Sequence, residues 1–90
     1  MTKWQIVFSR TGHKELEKLS HQSQSLIRSF LYTRILELDH PKLSGKALSA
    51  NKKGYWRYRV DKFRIICKLE ENKLVILIVK IAKRDVVYED

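Results

Sequence analysis

The sequence predicts an α+β domain in which a helical hairpin lies on a mainly antiparallel sheet. Three observations lead there: a β-branched and aromatic opening segment from Trp4 to Phe8, helical periodicity between His13 and Leu38, and three strand-like runs between Tyr55 and Ile81. A chain of 90 residues can build one modest core and no second one, so a single domain spanning 1–90 is expected.

Trp4 to Phe8 reads as the first strand, with Ser9-Arg10-Thr11-Gly12 as its exit. His13 to Leu19 reads as a short helix. Leu16 and Leu19 stand three apart among Lys14, Glu15, Glu17 and Lys18, and Thr11 serves as N-cap. Ser20 or Ser23 then caps a second helix running to about Leu38. Its apolar stripe is Ile27, Leu31, Ile35 and Leu38, flanked by Leu26 and Phe30, as expected of a helix laid on a sheet. Pro41 stops it. From His40 to Gly54 the chain reads as irregular and basic, with Leu43, Ala47 and Leu48 as the anchors that pin this loop to the core.

Tyr55 to Ile66 reads as a β-hairpin turning at Asp61-Lys62. Side chains alternate along a strand, so Trp56, Tyr58 and Val60 point to the core while Arg57 and Arg59 point the other way. The return strand, Phe63 to Leu69, puts Phe63, Ile65, Cys67 and Leu69 on one face and Arg64, Ile66 and Lys68 on the other. After a turn at Glu70 to Lys73, the nearly unbroken apolar run from Leu74 to Ile81 suits a central strand covered on both sides.

The charge balance is less ordinary than the fold. Nineteen Lys and Arg against 10 Asp and Glu give a formal +9, a surface that attracts nucleic acid or an acidic protein. The only cysteine, Cys67, lies in an apolar run and reads as a buried, inert thiol suited to a reducing compartment. The opening apolar stretch is too short for a signal peptide, and nothing has the length of a membrane span. A soluble cytoplasmic protein is expected, with no membrane partner.

Four stretches taken together carry a resemblance. Leu43-Ser44-Gly45-Lys46-Ala47-Leu48, Tyr55-Trp56-Arg57-Tyr58-Arg59-Val60, Phe63-Arg64-Ile65-Ile66 and Lys83-Arg84-Asp85-Val86-Val87-Tyr88, in this order and spacing, resemble the RelE/ParE superfamily of bacterial toxins over nearly the whole chain. The resemblance implies the toxin half of a type II toxin–antitoxin pair. Its RelE-like branch implies a ribosome-dependent endoribonuclease that cuts messenger RNA in the A site without a metal or cofactor, the 2′-hydroxyl attacking its own phosphate. The implied partners are an acidic cognate antitoxin, the ribosome and messenger RNA, with operator DNA reached only through the antitoxin.

By that resemblance Arg57 and Arg59 take the two basic positions of the first hairpin strand, Arg64 the phosphate-binding arginine of the return strand, and Arg84 and Tyr88 the terminal Arg and Tyr. Lys46, Lys52, Lys53, Lys62 and Lys83 are the supplementary RNA-binding lysines. The chemistry is consistent with these residue types. A planar guanidinium binds two phosphate oxygens at once, and a tyrosine stacks on a splayed base or bonds near the 2′-hydroxyl. The histidines His13, His21 and His40 lack ligand spacing and read as surface or capping residues.

One departure shapes the mechanism. The best-studied ribonuclease of the family carries lysines at the positions of Arg57 and Arg59, and a guanidinium with a pKa above ~12 is a poor proton acceptor. Arginine there favours stabilisation of transition-state charge over base catalysis, leaving as base Tyr88, a lysine of depressed pKa such as Lys52, Lys53 or Lys62, or no residue at all. The His often found before the terminal arginine is Lys83 here. Two other readings fit the same fold: a ParE-like inhibitor of DNA gyrase, which binds without cutting, and a toxin without activity that serves only in antitoxin and operator binding.

Overall fold

The computed structural model describes residues 3–48 and 54–83. Strand β1 (Gln5–Phe8) leads into helix α1 (Arg10–Glu17) and helix α2 (His21–Ser29), which continues as a wider π-helical segment, Phe30–Ile35. A single 3-10 turn, Pro41–Leu43, precedes β2 (Lys46–Ala47), β3 (Tyr55–Val60), β4 (Phe63–Glu70) and β5 (Val75–Lys83). The strands form one five-stranded sheet in the order β1-β5-β4-β3-β2, with β1 parallel to β5 and every other pair antiparallel. The α+β class and the mainly antiparallel sheet are as the sequence predicts.

The first helix starts earlier than expected. Ser9, not Thr11, is the N-cap, its hydroxyl accepting from the Gly12 amide at 3.0 Å. Gly12 is a buried helical residue rather than part of an exit turn, because it sits where α1 crosses β5: a Cβ on it would lie 2.4 Å from the Ile78 carbonyl oxygen. Ser20 caps α2, accepting from the Ser23 amide at 3.1 Å. The regular part of that helix ends at Ser29, well short of Leu38. There the Thr33 hydroxyl donates back to the Ser29 carbonyl and the Leu36 amide reaches the Leu31 carbonyl five residues back, so the turn is widened. The apolar stripe holds through this change, with Ile27, Leu31 and Ile35 fully or almost fully buried.

Between the helices and one face of the sheet, these residues pack with Leu16, Tyr58, Phe63, Ile65, Cys67, Ile76, Ile78 and Ile81 into a single cluster. Deleting any of the larger aliphatic side chains there would cost about 2–5 kcal/mol. The β5 run is central, between β1 and β4, yet the helices cover only one of its faces: Ile76, Ile78 and Ile81 are buried, while Val75, Leu77 and Val79 are half-buried. An irregularity in the β4–β5 register lets Val79 go unpaired and leaves both Ile78 and Ile81 on the core side. The Glu15 carboxylate of α1 accepts from the Ile81 amide at 2.8 Å, tying the helix to the strand just past this bulge.

The loop expected to be irregular contains β2, so four strands follow the helices rather than three. Its anchors also differ from expectation. Leu43 is 67% exposed and Ala47 is exposed, with only Leu48 half-buried. The segment is held instead by buried Pro41 and by polar contacts to β3: the Tyr58 hydroxyl donates to the Pro41 carbonyl and the Trp56 indole to the Ser44 carbonyl, both at 2.6 Å. These contacts bring Gly45 and Lys46 to the edge of the hairpin, where the cationic residues lie.

Candidate functional site

Strands β3 and β4 meet at a two-residue turn, with Val60 opposite Phe63 and Asp61 in the left-handed region at φ 53°. A turn this tight fixes the face of every later residue. Arg59 falls directly opposite Arg64, and Arg57 opposite Ile66. All of these point away from the helices, since the alternating positions Tyr58, Val60, Phe63 and Ile65 are in the core. On the outer edge Lys46 of β2 lies opposite Arg57, and on the inner side Lys80 of β5 lies opposite Ile66. Lys46, Arg57, Ile66 and Lys80 thus form one row across the sheet, and Arg59, Arg64 and Ala82 the next.

Exposure differs within this face. Arg59 is exposed, whereas Arg57 and Arg64 are half-buried. The Arg64 Nε is buried and finds no hydrogen-bond partner among the described residues. Ser44, Gly45, Lys46, Arg57 and Arg59 line an open depression of about 230 Å³. Two donors of one sign facing each other across a hairpin are destabilising by themselves, and a buried donor without an acceptor is uncommon in a folded protein. Both features suit a face shaped for an anion.

The remaining expected residues fall elsewhere. Lys62 sits at the hairpin turn with its Nζ over the Phe63 ring, 5.8 Å from the centroid. Lys83 lies opposite Phe63, on the side of the sheet away from Arg64. Lys52, Lys53, Arg84 and Tyr88 lie outside the described residues. Sequence reasoning missed Lys80, which reaches the arginine face only because of the β5 bulge, and it took Gly45 as punctuation when its backbone lines the depression.

Groups of other chemistry stand apart from this face. Burial pushes the Cys67 thiol up to about 12 and lifts the Tyr58 hydroxyl well above its ordinary range, with the neighbouring Cys67 adding to the latter. Both remain protonated at neutral pH, which keeps Tyr58 as the donor to Pro41. Among the histidines, His13 pairs with Glu17 at 3.5 Å on the helix surface. His40 caps the 3-10 turn, its Nδ1 accepting from the Lys42 amide while its Nε2 meets Glu71 at 2.8 Å. Among the described residues, no three His, Cys, Asp or Glu side chains gather at one point, and no helix is long and apolar enough to cross a membrane.

The molecule is a small α+β domain whose helices cover one sheet face and whose other face carries a ladder of cations. The chain belongs to the ParE toxin family of type II toxin–antitoxin systems, whose family model matches residues 6–88, within the RelE/ParE superfamily. Its fold is shared by a chain of the toxin–antitoxin complex RelBE2 from Mycobacterium tuberculosis, at a TM-score of 0.82 and 19% identity, over 96% of this chain and 97% of that one. The isolated RelE toxin of Escherichia coli is similar at a TM-score of 0.71 and 14% identity, over 93% and 87% of the two chains. No curated protein sequence matches.

Proposed function

We propose that this toxin is a ribosome-dependent messenger RNA endonuclease, folded as one domain over residues 1–90, and that Arg57, Arg59 and Arg64 bind the phosphate at the cut. The observation that carries this reading is the direct opposition of Arg59 and Arg64, with Arg57 and Lys46 on the adjoining row. In the reaction the 2′-hydroxyl oxygen bonds to the adjacent phosphorus, the bond to the 5′-oxygen breaks, and the products end in a 2′,3′-cyclic phosphate and a 5′-hydroxyl. One proton leaves the 2′-oxygen and one reaches the 5′-oxygen. The arginines neutralise the charge that builds on the phosphorane oxygens, while Arg84 and Tyr88 complete the set and Tyr88 or a lysine moves the proton. Lys46, Lys52, Lys53, Lys62 and Lys83 contribute to binding the RNA.

The partner that restrains the toxin is an acidic cognate antitoxin. The likeness to a chain of the RelBE2 toxin–antitoxin complex supports this, as does the net charge of +9. Opposite charge accelerates encounter, so the association rate should fall as salt rises. The protein works in the cytoplasm, where its ribosomal substrate is.

The test is messenger cleavage in a translation extract by the wild type and by the Arg64→Ala/Arg84→Ala variant. Cleavage by the wild type and none by the folded variant is expected. Undiminished cleavage by the variant would overturn the site assignment. A second reading, a gyrase inhibitor that binds without cutting, is favoured by the match to a ParE family model. Induction of the DNA-damage response with intact messengers would decide for it.

A further inference from the structure

The two side chains that hold the segment before β2 are on the core side of β3, yet the residue they deliver is on the opposite side. Tyr58 and Trp56 catch the carbonyls of Pro41 and Ser44 at 2.6 Å each. Between Ser44 and Lys46 the chain passes over the edge of β3 at Gly45, with φ +80°. The crossing is close: a Cβ on Gly45 would stand 2.4 Å from the Arg57 carbonyl oxygen, 2.6 Å from the Trp56 Nε1 and 2.8 Å from a Tyr58 ring carbon. Only glycine combines this backbone angle with this approach. One residue on, Lys46 pairs with Arg57 and both border the cationic depression.

Resting on the RNA-cleavage reading, we infer that Trp56 and Tyr58 are positioning residues, which clamp the 41–45 segment so that Lys46 stands beside Arg57 as a further phosphate contact. Leu43 and Ala47 are exposed and supply little apolar anchoring; beyond buried Pro41 at its start and the short β2–β3 pairing at its end, the two hydrogen bonds and the glycine crossing hold the segment in place. Lys46 is itself exposed on a two-residue edge strand. Without the clamp only the two-residue pairing with β3 and the Leu48 amide bond to the Tyr55 carbonyl would hold it, and with this short edge loosened its charge would act at the phosphate only part of the time.

The test is equilibrium binding of a short single-stranded 2′-O-methyl RNA, which lacks the attacking hydroxyl, measured across a range of salt concentrations. A lysine that contacts one phosphate contributes about 0.7 to the slope of log affinity against log salt for a single strand. Lys46→Ala should lower the slope by about that amount. Trp56→Phe, which keeps an aromatic ring and removes the N–H donor, should weaken binding roughly three- to tenfold and lower the slope in the same direction. Adding Lys46→Ala to Trp56→Phe should then cost little more, because the two act through one contact.

Losses that simply multiply in the double variant, with wild-type binding steep in salt, would overturn the positioning role and leave the RNA reading standing. A wild type that does not bind the probe would overturn the RNA reading and the inference with it. Tyr58→Phe, which deletes a single hydroxyl, gives an independent variant should Trp56→Phe fail to fold. It is expected to show the same lack of additivity with Lys46→Ala.

Discussion

Arg59 and Arg64 stand directly opposite each other across the β3–β4 hairpin, both pointing away from the core. Like charges in this relation are destabilising by a few tenths to about 1 kcal/mol, and the Arg64 Nε adds a buried donor without an acceptor among the described residues. Fold stability therefore does not explain the pair. Replacing Arg64 with methionine, which keeps length and removes the charge and the orphan donor, should raise the stability of the isolated toxin by about 0.5–1 kcal/mol. The same variant should lose RNA binding. Urea denaturation of wild type and Arg64→Met at one salt concentration checks the first part. A variant less stable than the wild type would mean that attractive contacts hold Arg64, and the strain argument would fall.

Gly12 gives a prediction of opposite sign to the usual rule. In an exposed helix interior, Gly→Ala adds about 1 kcal/mol of stability. Here the new Cβ would stand 2.4 Å from the Ile78 carbonyl oxygen, and that same oxygen accepts the Ser9 amide at 2.9 Å. The helix cannot yield without loosening its own N-terminus from β5. Gly12→Ala should therefore destabilise by about 1–3 kcal/mol, which for a domain of this size lowers the melting temperature by roughly 4–8 °C for each kcal/mol. Thermal unfolding measures it directly, and an unchanged or higher melting temperature would show that α1 can shift away from the strand at no cost.

The hairpin faces were legible in the sequence because a strict period of two, closed by a tight turn, leaves no freedom in which side chains share a side. That Arg57, Arg59 and Arg64 share a face follows from this period and the tight turn; their choice as site residues rests on the family resemblance. The place of Lys80 on that face does not follow, since the bulge that re-aims it depends on Val79 going unpaired and on a tie from Glu15 of α1 to the Ile81 amide, contacts remote in sequence. By the local rule that glycine marks a turn, Gly12 and Gly45 read as punctuation. Their roles instead come from close approach to another element, which periodicity does not carry. The 41–47 segment departs from the sequence expectation for a related reason: composition makes Leu43 an anchor, while the working polar contacts end on the Pro41 and Ser44 carbonyl oxygens, groups that every sequence possesses.

Glu71 predicts a pH dependence far from the arginine face. Its carboxylate joins the β4–β5 turn to the 3-10 turn, meeting His40 Nε2 at 2.8 Å and Lys42 Nζ at 3.6 Å. The hydrogen bond from His40, followed by the charge of Lys42, holds its pKa below the ordinary carboxylate value of 4.5. The folded state therefore binds a proton less readily than the unfolded one, and stability falls as pH falls from the unfolded value through the folded one. The contribution is fully present above the ordinary carboxylate value and is lost as the pH falls below it through the lowered folded value. Glu71→Gln should be less stable than the wild type at neutral pH, with the gap closing as the solution is acidified through that window. Urea midpoints at a series of pH values trace the gap, and a gap that stays constant from neutral to strongly acidic pH would show that the carboxylate's charge does not tie the two turns together.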